Sequence, residues 1–470
     1  MTDPAHPILA ETDGKAILVH PVAESEVEAF LARKRAPVRT YATANKFAGK
    51  VGQVLVVPGA SGAVEQVLMG VGSGRADLSL LRGLAGKLPA GDYALLRLPK
   101  GLDGEQAALG FALGTYRYDR YKKRGEPIPR LLAPKGVDVT FVTALAHACA
   151  LCRDMVNTPA ADMGPLQIET IAREIAEEHG ATIAVVTGDD LLEQNYPSVH
   201  AVGRAAAPHR APRIVELVWN GDRQDLPTVA LVGKGVVFDS GGLDIKPSAG
   251  MRLMKKDMGG AAHALALARL VMASDLPVRL VCLVPAVENA ISGDAFRPGD
   301  ILATRKGLTV EVGNTDAEGR LILSDALTRA GEHAPDLTLD FATLTGAARI
   351  ALGPEVIPMF TPDDALAAEF EAASRAVSDP LWRMPLWAGY REALDSDVAD
   401  LRNDPDAWAQ GGSVLAALFL QKFAPETGAW AHFDVFAWTP RSKPGSPAGG
   451  EAQVIRAAFE VLKSRYGKAR

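Results

Sequence analysis

The chain has 470 residues, 48% of them hydrophobic and 23% charged, and its formal net charge is −6 at pH 7. This length and balance are typical of a folded enzyme with two domains, and they exclude a fibrous or an intrinsically disordered protein. The acidic balance also argues against nucleic acid as the main partner.

The N-terminal segment, Met1-Thr-Asp-Pro-Ala-His-Pro, lacks the basic start and apolar core of a secretory signal, and we find no apolar run of membrane-spanning length. The three cysteines of the chain are too few for a disulfide framework. Cys149 and Cys152 have the spacing of a redox or zinc motif, but they lie in a helix-like run without a second pair, which favours core packing. We therefore expect a cytoplasmic protein that does not associate with membranes.

Residues 1–138 predict a smaller N-terminal α/β domain, to which we assign a role in assembly or regulation. The runs 51–57 and 93–98 are typical of strands, and residues 104–121 are typical of a helix. Glycine and proline punctuate residues 126–136, and we expect the domain to end there.

A basic run, Arg117-Tyr-Asp-Arg-Tyr-Lys-Lys-Arg124, interleaves arginine and tyrosine in this first domain. Such a run could contact phosphates and stack on bases, so it supports an alternative function in nucleic-acid binding or assembly. A solvated helix or a helix between subunits explains the same residues, and the acidic net charge favours that explanation. Nucleic acid is therefore not the expected partner.

Residues 139–470 predict a larger C-terminal α/β domain, which begins with a connecting helix over 139–156. Runs of strand and helix length alternate through it, as a layered sheet requires. The predicted strands cover 182–186, 213–219, 228–233, 278–285 and 336–342, and the predicted helices cover 166–179 and 261–274. The fold class is therefore α/β with two domains, the second built on a central mixed sheet flanked by helices.

Charged residues gather where the apolar strand 228–233 ends. Lys234 follows it directly, and Asp239, Lys246 and Asp257 come soon after, before the helix 261–274. Ligand-binding and catalytic residues of α/β sheets collect in loops at the carboxyl ends of strands. Each lysine has two possible roles, as a neutral metal ligand or as a cationic electrophile, and an isolated lysine at a strand end can also simply extend to solvent.

A second charged segment, residues 313–321, reads Gly-Asn-Thr-Asp-Ala-Glu-Gly-Arg-Leu. In an extended segment Asp316, Glu318 and Arg320 lean toward one side of the chain. A charged surface turn before a helix that starts at Leu321 explains the same residues. Asp316 and Glu318 make four carboxylates together with Asp239 and Asp257 upstream. Their mutual repulsion is relieved by protonation or by two divalent cations.

These residues resemble the leucine aminopeptidase (cytosol aminopeptidase, M17) family. The resemblance rests on Asn-Thr-Asp-Ala-Glu-Gly-Arg-Leu and on Gly-Lys-Gly-(x)3-Asp-Ser-Gly-Gly, and it covers roughly residues 150 to 440. Similar blocks are Glu288-Asn289, Arg297-Pro-Gly-Asp300, Ala342-Thr-Leu-Thr-Gly-Ala347 and Ala399-Asp-Leu-Arg-Asn403. The resemblance implies that residues 139–470 form a catalytic metallopeptidase domain.

The resemblance also implies the roles of individual residues. Asp239 and Glu318 would bridge two divalent metals, zinc or manganese or else magnesium, and Asp316 would complete the looser site. Lys234, as a neutral amine, and Asp257 would complete the tighter site. The two remaining charged residues would be catalytic, Lys246 by binding the substrate carbonyl or oxyanion and Arg320 by holding a bicarbonate ion.

No histidine in these clusters looks placed to take a proton from water, so we expect the bicarbonate at Arg320 to act as the general base. His263 lies on the helix after Asp257, where a lone histidine among alanines and leucines is expected to be a packing residue. A free α-amine of the substrate would complete the coordination of a metal, which explains removal of one N-terminal residue rather than internal cleavage.

For the pocket that takes the first side chain, the resemblance implies Met254, Thr343, Leu344 and Gly346, with Thr345 as loop scaffolding. The segment 432–438, His-Phe-Asp-Val-Phe-Ala-Trp, departs from the family pattern and places the bulky Phe436 at a position that is usually small. We therefore expect a divergent bacterial-type branch with shifted or narrower specificity.

The sequence thus predicts a two-metal aminopeptidase that hydrolyses the N-terminal residue from short peptides through a metal-bridging water. Family resemblance implies a homohexamer. The alternative is a nucleic-acid-binding or assembly protein with a secondary or relic peptidase site.

Overall fold

The computed structural model describes residues 6–123, 127–405 and 410–467. The chain divides into two compact units, one of Met1–Ala150 with Thr439–Ala448 and one of Leu151–Trp438 with Gly449–Arg470. The basic run of the first unit is described except for its last residue, Arg124, which lies outside the described residues.

The first unit contains a six-stranded sheet in the order β1-β6-β5-β2-β4-β3. Its strands are β1 (Ile8–Leu9), β2 (Ile17–Ala23), β3 (Val54–Pro58), β4 (Val64–Gly72), β5 (Gly91–Leu95) and β6 (Pro129–Leu132). All neighbouring pairs are parallel except β3 and β4. The central strands bury apolar residues such as Val19 and Leu68, as expected for strands that pack on both faces.

The helices of this unit are α1 (Val27–Ala32), α2 (Ala36–Ala44), α3 (Leu78–Ala85) and α4 (Gly104–Gly114). Helix α4 begins with a capping box between Asp103 and Gln106. It ends earlier than the predicted 104–121, because Thr115 donates its hydroxyl back to the Ala112 carbonyl and the polar residues that follow have no apolar face to bury. The strand predicted from residue 51 starts later, at Val54, because residues 51–53 form a turn.

Helix α5 (Val139–Asn157) carries the chain from the first unit into the second. By length and composition it could cross a membrane, so the expectation that no apolar run reaches that length was wrong. Core helices of soluble proteins pass the same test, and 56% of its apolar window is buried inside the protein. Arg153 in this helix is also buried and donates from Nε to the Gly450 carbonyl at 2.9 Å, which is typical of a helix packed within a protein.

The second unit is built on a mixed sheet in the order β16-β15-β18-β14-β9-β11-β8-β7, with β10 paired to β11. Its strands are β7 (Thr182–Thr187), β8 (Arg213–Trp219), β9 (Thr228–Gly233), β10 (Gly235–Asp239), β11 (Arg279–Asn289), β14 (Leu337–Ala342), β15 (Ile357–Phe360), β16 (Leu381–Arg383) and β18 (Ala429–Asp434). A small sheet pairs β12 (Ile301–Ala303), β13 (Thr309–Glu311) and β17 (Leu401–Arg402). The short strands β19 (Trp438–Thr439) and β20 (Gly449–Gly450) complete the set.

Helices flank this sheet, so the predicted fold class is confirmed for the second unit. They are α6 (Pro165–His179), α7 (Asp190–Glu193), α8 (Pro197–Gly203), α9 (Ser248–Met251), α10 (Gly259–Ala273), α11 (Gly319–Gly331), α12 (Gly346–Leu352), α13 (Asp364–Ala376), α14 (Gly412–Gln421) and α15 (Ile455–Tyr466). Small residues let α10 approach the sheet closely, since a Cβ on Gly260 would lie 2.0 Å from the Phe341 carbonyl oxygen.

Four neighbouring strands run parallel and end at one edge of the sheet. β18 pairs with β14, β14 with β9, and β9 with β11, each in parallel. β10 extends β11 in the same direction and ends at Asp239. Because parallel strands deliver their carboxyl ends to the same edge, the loops that follow these strands meet there.

A fully buried polar group joins two of these strands. The Asp340 carboxylate on β14 accepts a hydrogen bond from Trp430 Nε1 at 2.7 Å and contacts His432 Nδ1 at 2.5 Å, both on β18. Burial alone would lower the pKa of His432, but the Asp340 carboxylate outweighs it and raises that pKa above its usual 6.5. The pair therefore stabilises the imidazolium inside the sheet.

Replacing Asp340 with alanine should destabilise the second unit strongly, because the His432 and Trp430 donors would be left buried without an acceptor. Loss of one partner of a buried ion pair costs about 3–5 kcal/mol, which corresponds to a fall in melting temperature on the order of 10 °C. The pKa of His432 is raised in the folded protein. The loss of stability caused by Asp340→Ala should therefore be largest below pH 6.5, and it should shrink as the pH rises through the folded pKa.

Thr338→Val is the matched control on the same strand. The Thr338 hydroxyl is buried and has no hydrogen-bond partner among the described residues, so its replacement by a methyl group should cost no stability. Thermal unfolding of both variants across pH 5–8 measures the effect. An unchanged melting temperature for Asp340→Ala, or an equal loss for Thr338→Val, would contradict it.

Candidate metal centre

The loops at the carboxyl edge of the second sheet bring together the charged residues singled out in the sequence. Lys234 follows β9, Asp239 ends β10, and Asn289 ends β11. Thr343 follows β14, and Asp434 ends β18. The topology of the sheet, rather than closeness in sequence, therefore assembles this site.

The loop after β10 turns sharply and returns Lys246 to Asp239. Gly241 and Gly242 have φ of +89° and +64°, and a Cβ on Gly241 would lie 2.4 Å from the Asp244 carbonyl oxygen. Only glycine fits this path without strain. The loop closes with the Lys246 amide donating to the Ser240 carbonyl at 3.0 Å, and Lys246 Nζ then lies 2.8 Å from Asp239 Oδ2.

The segment that carries Asp316 and Glu318 is a turn leading into α11, not the extended strand that the alternation assumed. Three groups hold this turn. Asp244 Oδ2 accepts from the Thr315 amide, Asn314 Oδ1 accepts from the Asp316 amide, and Asn403 Oδ1 accepts from the Gly313 amide. The two acids still converge, because ligand oxygens of Asp239, Asp316 and Glu318 lie within 4.8 Å of one another.

Asp257 reaches the same cluster from a 3₁₀ helix, Met254–Met258, that precedes α10. Thr343 Oγ1 donates to Asp257 Oδ1 at 2.7 Å and so fixes one oxygen. The other oxygen, Oδ2, lies 2.8 Å from Lys234 Nζ, which is also 2.9 Å from Glu318 Oε1. Lys234 therefore joins Asp257 to Glu318, while Lys246 forms ion pairs with Asp239 and Asp316.

The burial of this cluster controls its protonation. Burial raises the pKa of Glu318 to about 8 and that of Asp316 to about 6, and the charge of Asp239 adds to both shifts. Burial favours a neutral Lys234, but the carboxylates of Asp257 and Glu318 outweigh it and raise the pKa of that amine. The raised pKa values of Glu318 and Asp316 indicate that the two lysines do not fully offset burial and the repulsion among the carboxyl groups.

The residues present fit divalent cations. Four buried oxygens accept no hydrogen bond from a described residue, namely Asp257 Oδ2, Asp316 Oδ1 and both Glu318 oxygens. Lysine ammonium groups reach them at ion-pair distance but with poor hydrogen-bond angles. Unsatisfied buried carboxylate oxygens are costly, and hard divalent cations prefer such ligands. An ammonium has no lone pair, so Lys234 could join such a coordination sphere only as a neutral amine.

Arg320 lies in the first turn of α11, buried beside the cluster. Its Nη1 donates to the Asn403 carbonyl, and its Nε has no hydrogen-bond partner within the described parts of the chain. Burial lowers the pKa of this guanidinium, and Asp404 and Glu318 oppose that shift. A buried donor without an acceptor fits the anion predicted for this position.

A cavity of about 430 Å³ opens beside the cluster and is lined by all four residues predicted to bind the first side chain, Met254, Thr343, Leu344 and Gly346. The Thr343 hydroxyl is already engaged with Asp257. Thr345 is scaffolding, as expected, because its hydroxyl accepts from the Ala348 amide and donates to Asp434. Phe436 also lines the cavity, so its ring narrows the space for a side chain.

Several residues that hold the site were not assigned a role from the sequence. Asn289 Nδ2 donates to Asp239 Oδ1 at 2.9 Å, and Asp434 Oδ1 accepts from the Leu344 amide at 2.9 Å. Both lie at the ends of strands, which is the signal that could have identified them. Lys256 and Arg349, which line the cavity, were also missed. Burial lowers the pKa of Lys256 to about 8, so its amine is still mainly protonated at pH 7.

His263 and the cysteines are core residues, as the sequence predicted. His263 is fully buried, with Nδ1 2.6 Å from the Gly259 carbonyl and Nε2 accepting from the Gln453 amide at 3.0 Å. Cys149, Cys152 and Cys282 are buried and form no disulfide.

Two family models match the chain. The catalytic domain of the "Cytosol aminopeptidase family" matches residues 150–458, and the "M17 aminopeptidase, N-terminal domain" matches residues 17–134. A "Probable cytosol aminopeptidase" from Syntrophotalea carbinolica is 37% identical over 449 residues, which cover 89% of each chain. A protein with the same description from Rhodococcus erythropolis is 38% identical over 442 residues, which cover 88% of this chain and 86% of that protein.

Two solved structures are similar to this chain over almost its whole length. The crystal structure of cytosol aminopeptidase from Coxiella burnetii has a TM-score of 0.92 at 44% identity, covering 98% of this chain and 100% of that chain. The bottromycin maturation enzyme BotP in complex with Mn has a TM-score of 0.85 at 34% identity, with the same coverage of 98% and 100%.

Gly319→Ala should weaken metal binding without unfolding the protein. A Cβ at this position would lie 2.6 Å from Lys234 Nζ and Cε, so the lysine would have to leave Asp257 and Glu318. Displacing a group that orients a metal ligand typically costs 10- to 100-fold in metal affinity. We expect a loss on that order for Mn²⁺, measured by competition with a chelating dye.

Gly331→Ala, at the other end of the same helix, is the matched control. Its Cβ would meet only ordinary contacts at 3.6–3.9 Å, so metal affinity should not change. Equal affinities for wild type and Gly319→Ala would contradict the placement of Lys234 in the metal site.

Proposed function

The chain belongs to the cytosol aminopeptidase family, and we propose that it removes the N-terminal residue from short peptides with the help of two divalent metal ions. As a family member it is a metallo-aminopeptidase, a hydrolase that acts on peptide bonds. The observation that carries the proposal is the cluster of four converging carboxylates, Asp239, Asp257, Asp316 and Glu318, with unsatisfied buried oxygens.

We assign five residues to the two metals. Asp239 and Glu318 would bridge them, Asp316 would complete the looser site, and Lys234 and Asp257 would complete the tighter one. Two such ions polarise a substrate carbonyl and lower the pKa of water, which makes hydroxide accessible near neutral pH. The manganese complex of BotP supports manganese, and zinc and magnesium remain candidates for the same oxygen-rich ligands.

Lys246 is the residue that we assign to the substrate oxygen. Its side chain lines the cavity and is 15% exposed, compared with 3% for Lys234. Burial opposes a charged amine, but Asp239 and Glu318 raise the pKa of Lys246, so the group stays an ammonium. A fixed ammonium beside the reacting carbonyl stabilises the negative charge that develops on its oxygen.

Arg320 would hold a bicarbonate ion that accepts the proton of the attacking water. Two observations support an anion there, the unpartnered buried Nε and the position of Arg320 on the wall of the cavity. The other cavity residues within the described ranges offer no histidine for the same task.

The proposal also covers the domains, the assembly and the location of the protein. We assign residues 139–470 to catalysis and 1–138 to assembly or regulation, and the resemblance favours a homohexamer. The names of the relatives favour the cytoplasm. The alternative of a nucleic-acid-binding protein is not favoured, because the charged site residues are all present and Tyr118, Arg120 and Tyr121 of the basic run contact one another.

Peptidase activity should depend on divalent metal. We expect chelation to abolish hydrolysis of a short aminoacyl amide and Mn²⁺ or Zn²⁺ to restore it. Asp316→Ala should lower kcat at least 100-fold at saturating metal, because one of the converging oxygens is lost. The measurement is the rate of amide hydrolysis as each metal is titrated back.

Asp222→Ala is the control and should behave as wild type, because it removes an exposed carboxylate in the loop before β9, at the opposite end of that strand from Lys234. Activity that survives chelation would overturn the proposed function as a whole.

Arg320→Ala should lower kcat by at least tenfold and should abolish the response to bicarbonate, because the buried donor of the anion is removed. The test compares activity in buffer freed of bicarbonate with activity after its return. Arg320→Lys, which keeps the charge but loses the planar fork, should be intermediate. Full activity of Arg320→Ala would rule out this role.

A further inference from the structure

Two basic side chains, Lys256 and Arg349, line the cavity beside the metal centre but take no part in holding the carboxylate cluster. Lys256 belongs to the 3₁₀ helix Met254–Met258, and Arg349 belongs to α12. Both cations lie against the ring of Phe436, with Lys256 Nζ 5.5 Å and Arg349 Cζ 4.7 Å from its centroid. The wall of the cavity at Phe436 is therefore positively charged.

These two cations have no good anionic partner in the protein. The nearest carboxylate oxygen to Lys256 Nζ is Asp257 Oδ1 at 3.9 Å, and that oxygen already accepts from Thr343 Oγ1 at 2.7 Å. Neither Lys256 nor Arg349 donates a hydrogen bond from its side chain to any residue in 6–123, 127–405 or 410–467. The Lys256 side chain is only 5% exposed, and burial of an unpaired ammonium is costly.

The adjacent lysine provides a contrast. Lys255 Nζ donates to the Asn157 carbonyl at 2.6 Å and lies 5.7 Å from the Trp438 ring centroid. The fold therefore supplies a hydrogen-bond acceptor for the Lys255 ammonium, whereas it supplies none for Lys256 among the described residues. A group that is buried, charged and only weakly paired at a ligand cavity is a candidate for binding an oppositely charged ligand.

The other acid at this end of the cavity is already used. Asp434 accepts from the amides of Leu344 and Thr345 and from Thr345 Oγ1. With Ser413 Oγ at 3.5 Å, four donors hold this carboxylate in the loop and away from Lys256 and Arg349. A ligand carboxylate in the cavity would supply both cations with a closer anionic partner.

We propose that the pocket selects peptides whose first residue is aspartate or glutamate, with the side-chain carboxylate bound by Lys256 and Arg349 beside Phe436. This proposal rests on the aminopeptidase function proposed above. Lys256 shares its helix with Met254, and Arg349 shares its helix with Gly346, so both cations belong to the elements assigned to the first side chain. Phe436 lies against both cations, so this end of the slot is charged and suits a carboxylate better than an apolar side chain.

The C-terminal carboxylate of a dipeptide could supply the same chemistry, so the substrates must separate the two sources. Aminoacyl-coumarin amides have no C-terminal carboxylate. We expect kcat/KM with Mn²⁺ to be at least tenfold higher for the glutamyl amide than for the isosteric glutaminyl amide, and likewise for aspartyl over asparaginyl. A leucyl amide serves as the apolar reference.

Variants of the two cations test the origin of the preference. Arg349→Gln should lower the ratio of glutamyl to glutaminyl kcat/KM at least fivefold, and Lys256→Met, which keeps the volume, should do the same. Arg375→Ala removes an exposed arginine on α13 and should leave the ratio unchanged. Since Arg349 is exposed, its variant remains informative if Lys256→Met does not fold.

Each outcome decides a different question. Equal rates for glutamyl and glutaminyl amides, or a profile dominated by leucine, would overturn the acidic preference while leaving the aminopeptidase intact. A preference for a leucyl dipeptide over its C-terminal amide, without any preference among the coumarins, would assign the cations to the peptide carboxylate and also overturn it. No hydrolysis of any amide would instead overturn the proposed function.

Discussion

The second unit is organised around the repulsion among four acidic side chains that the fold forces together. Asp316 and Glu318 share one turn, whereas Asp239 and Asp257 come from two other segments. Burial of Asp239, Asp257 and Glu318 removes the water that would screen their charges. Two lysines, one from each of two loops, lie between them and offset part of the charge. Burial, together with the charge of Asp239, keeps the pKa of Glu318 high, and the converging oxygens fit divalent cations.

Neutral hydrogen-bonding groups keep the acids from relaxing apart. Asn289 binds Asp239 and the Thr315 carbonyl, so it ties the end of β11 to the loop before α11. Asn403 binds the same loop through both ends of its amide. Because these contacts join segments far apart in sequence, the geometry of the site depends on the whole sheet, and its rigidity prepares it for metals.

The sequence predicted the buried strands well, since β8 and β9 have the bounds that their apolar runs suggested. The charged residues of the cluster could also be found in the sequence, because acids and lysines at strand ends have few structural uses. Asn289 and Asn403 were not assigned a role, since a neutral amide carries no signal until its partners are known. Lys256 and Arg349 were missed for a related reason, since each resembles a solvated surface charge in the sequence and only the fold brings both against Phe436.

Besides Arg320, the cations that line the cavity fall into two classes, which differ in how closely carboxylates pair with them. Lys234 and Lys246 form close ion pairs with carboxylates, which neutralise the charge of both lysines within the cluster. Lys256 has only a long ion pair with Asp257, at 3.9 Å, and Arg349 has none among the described residues; both side chains line the ligand cavity. Divalent metals would neutralise the carboxylates that now partly offset these cations, and the field at Phe436 would become more positive. An acidic side chain is therefore favoured most strongly in the state that is competent for hydrolysis.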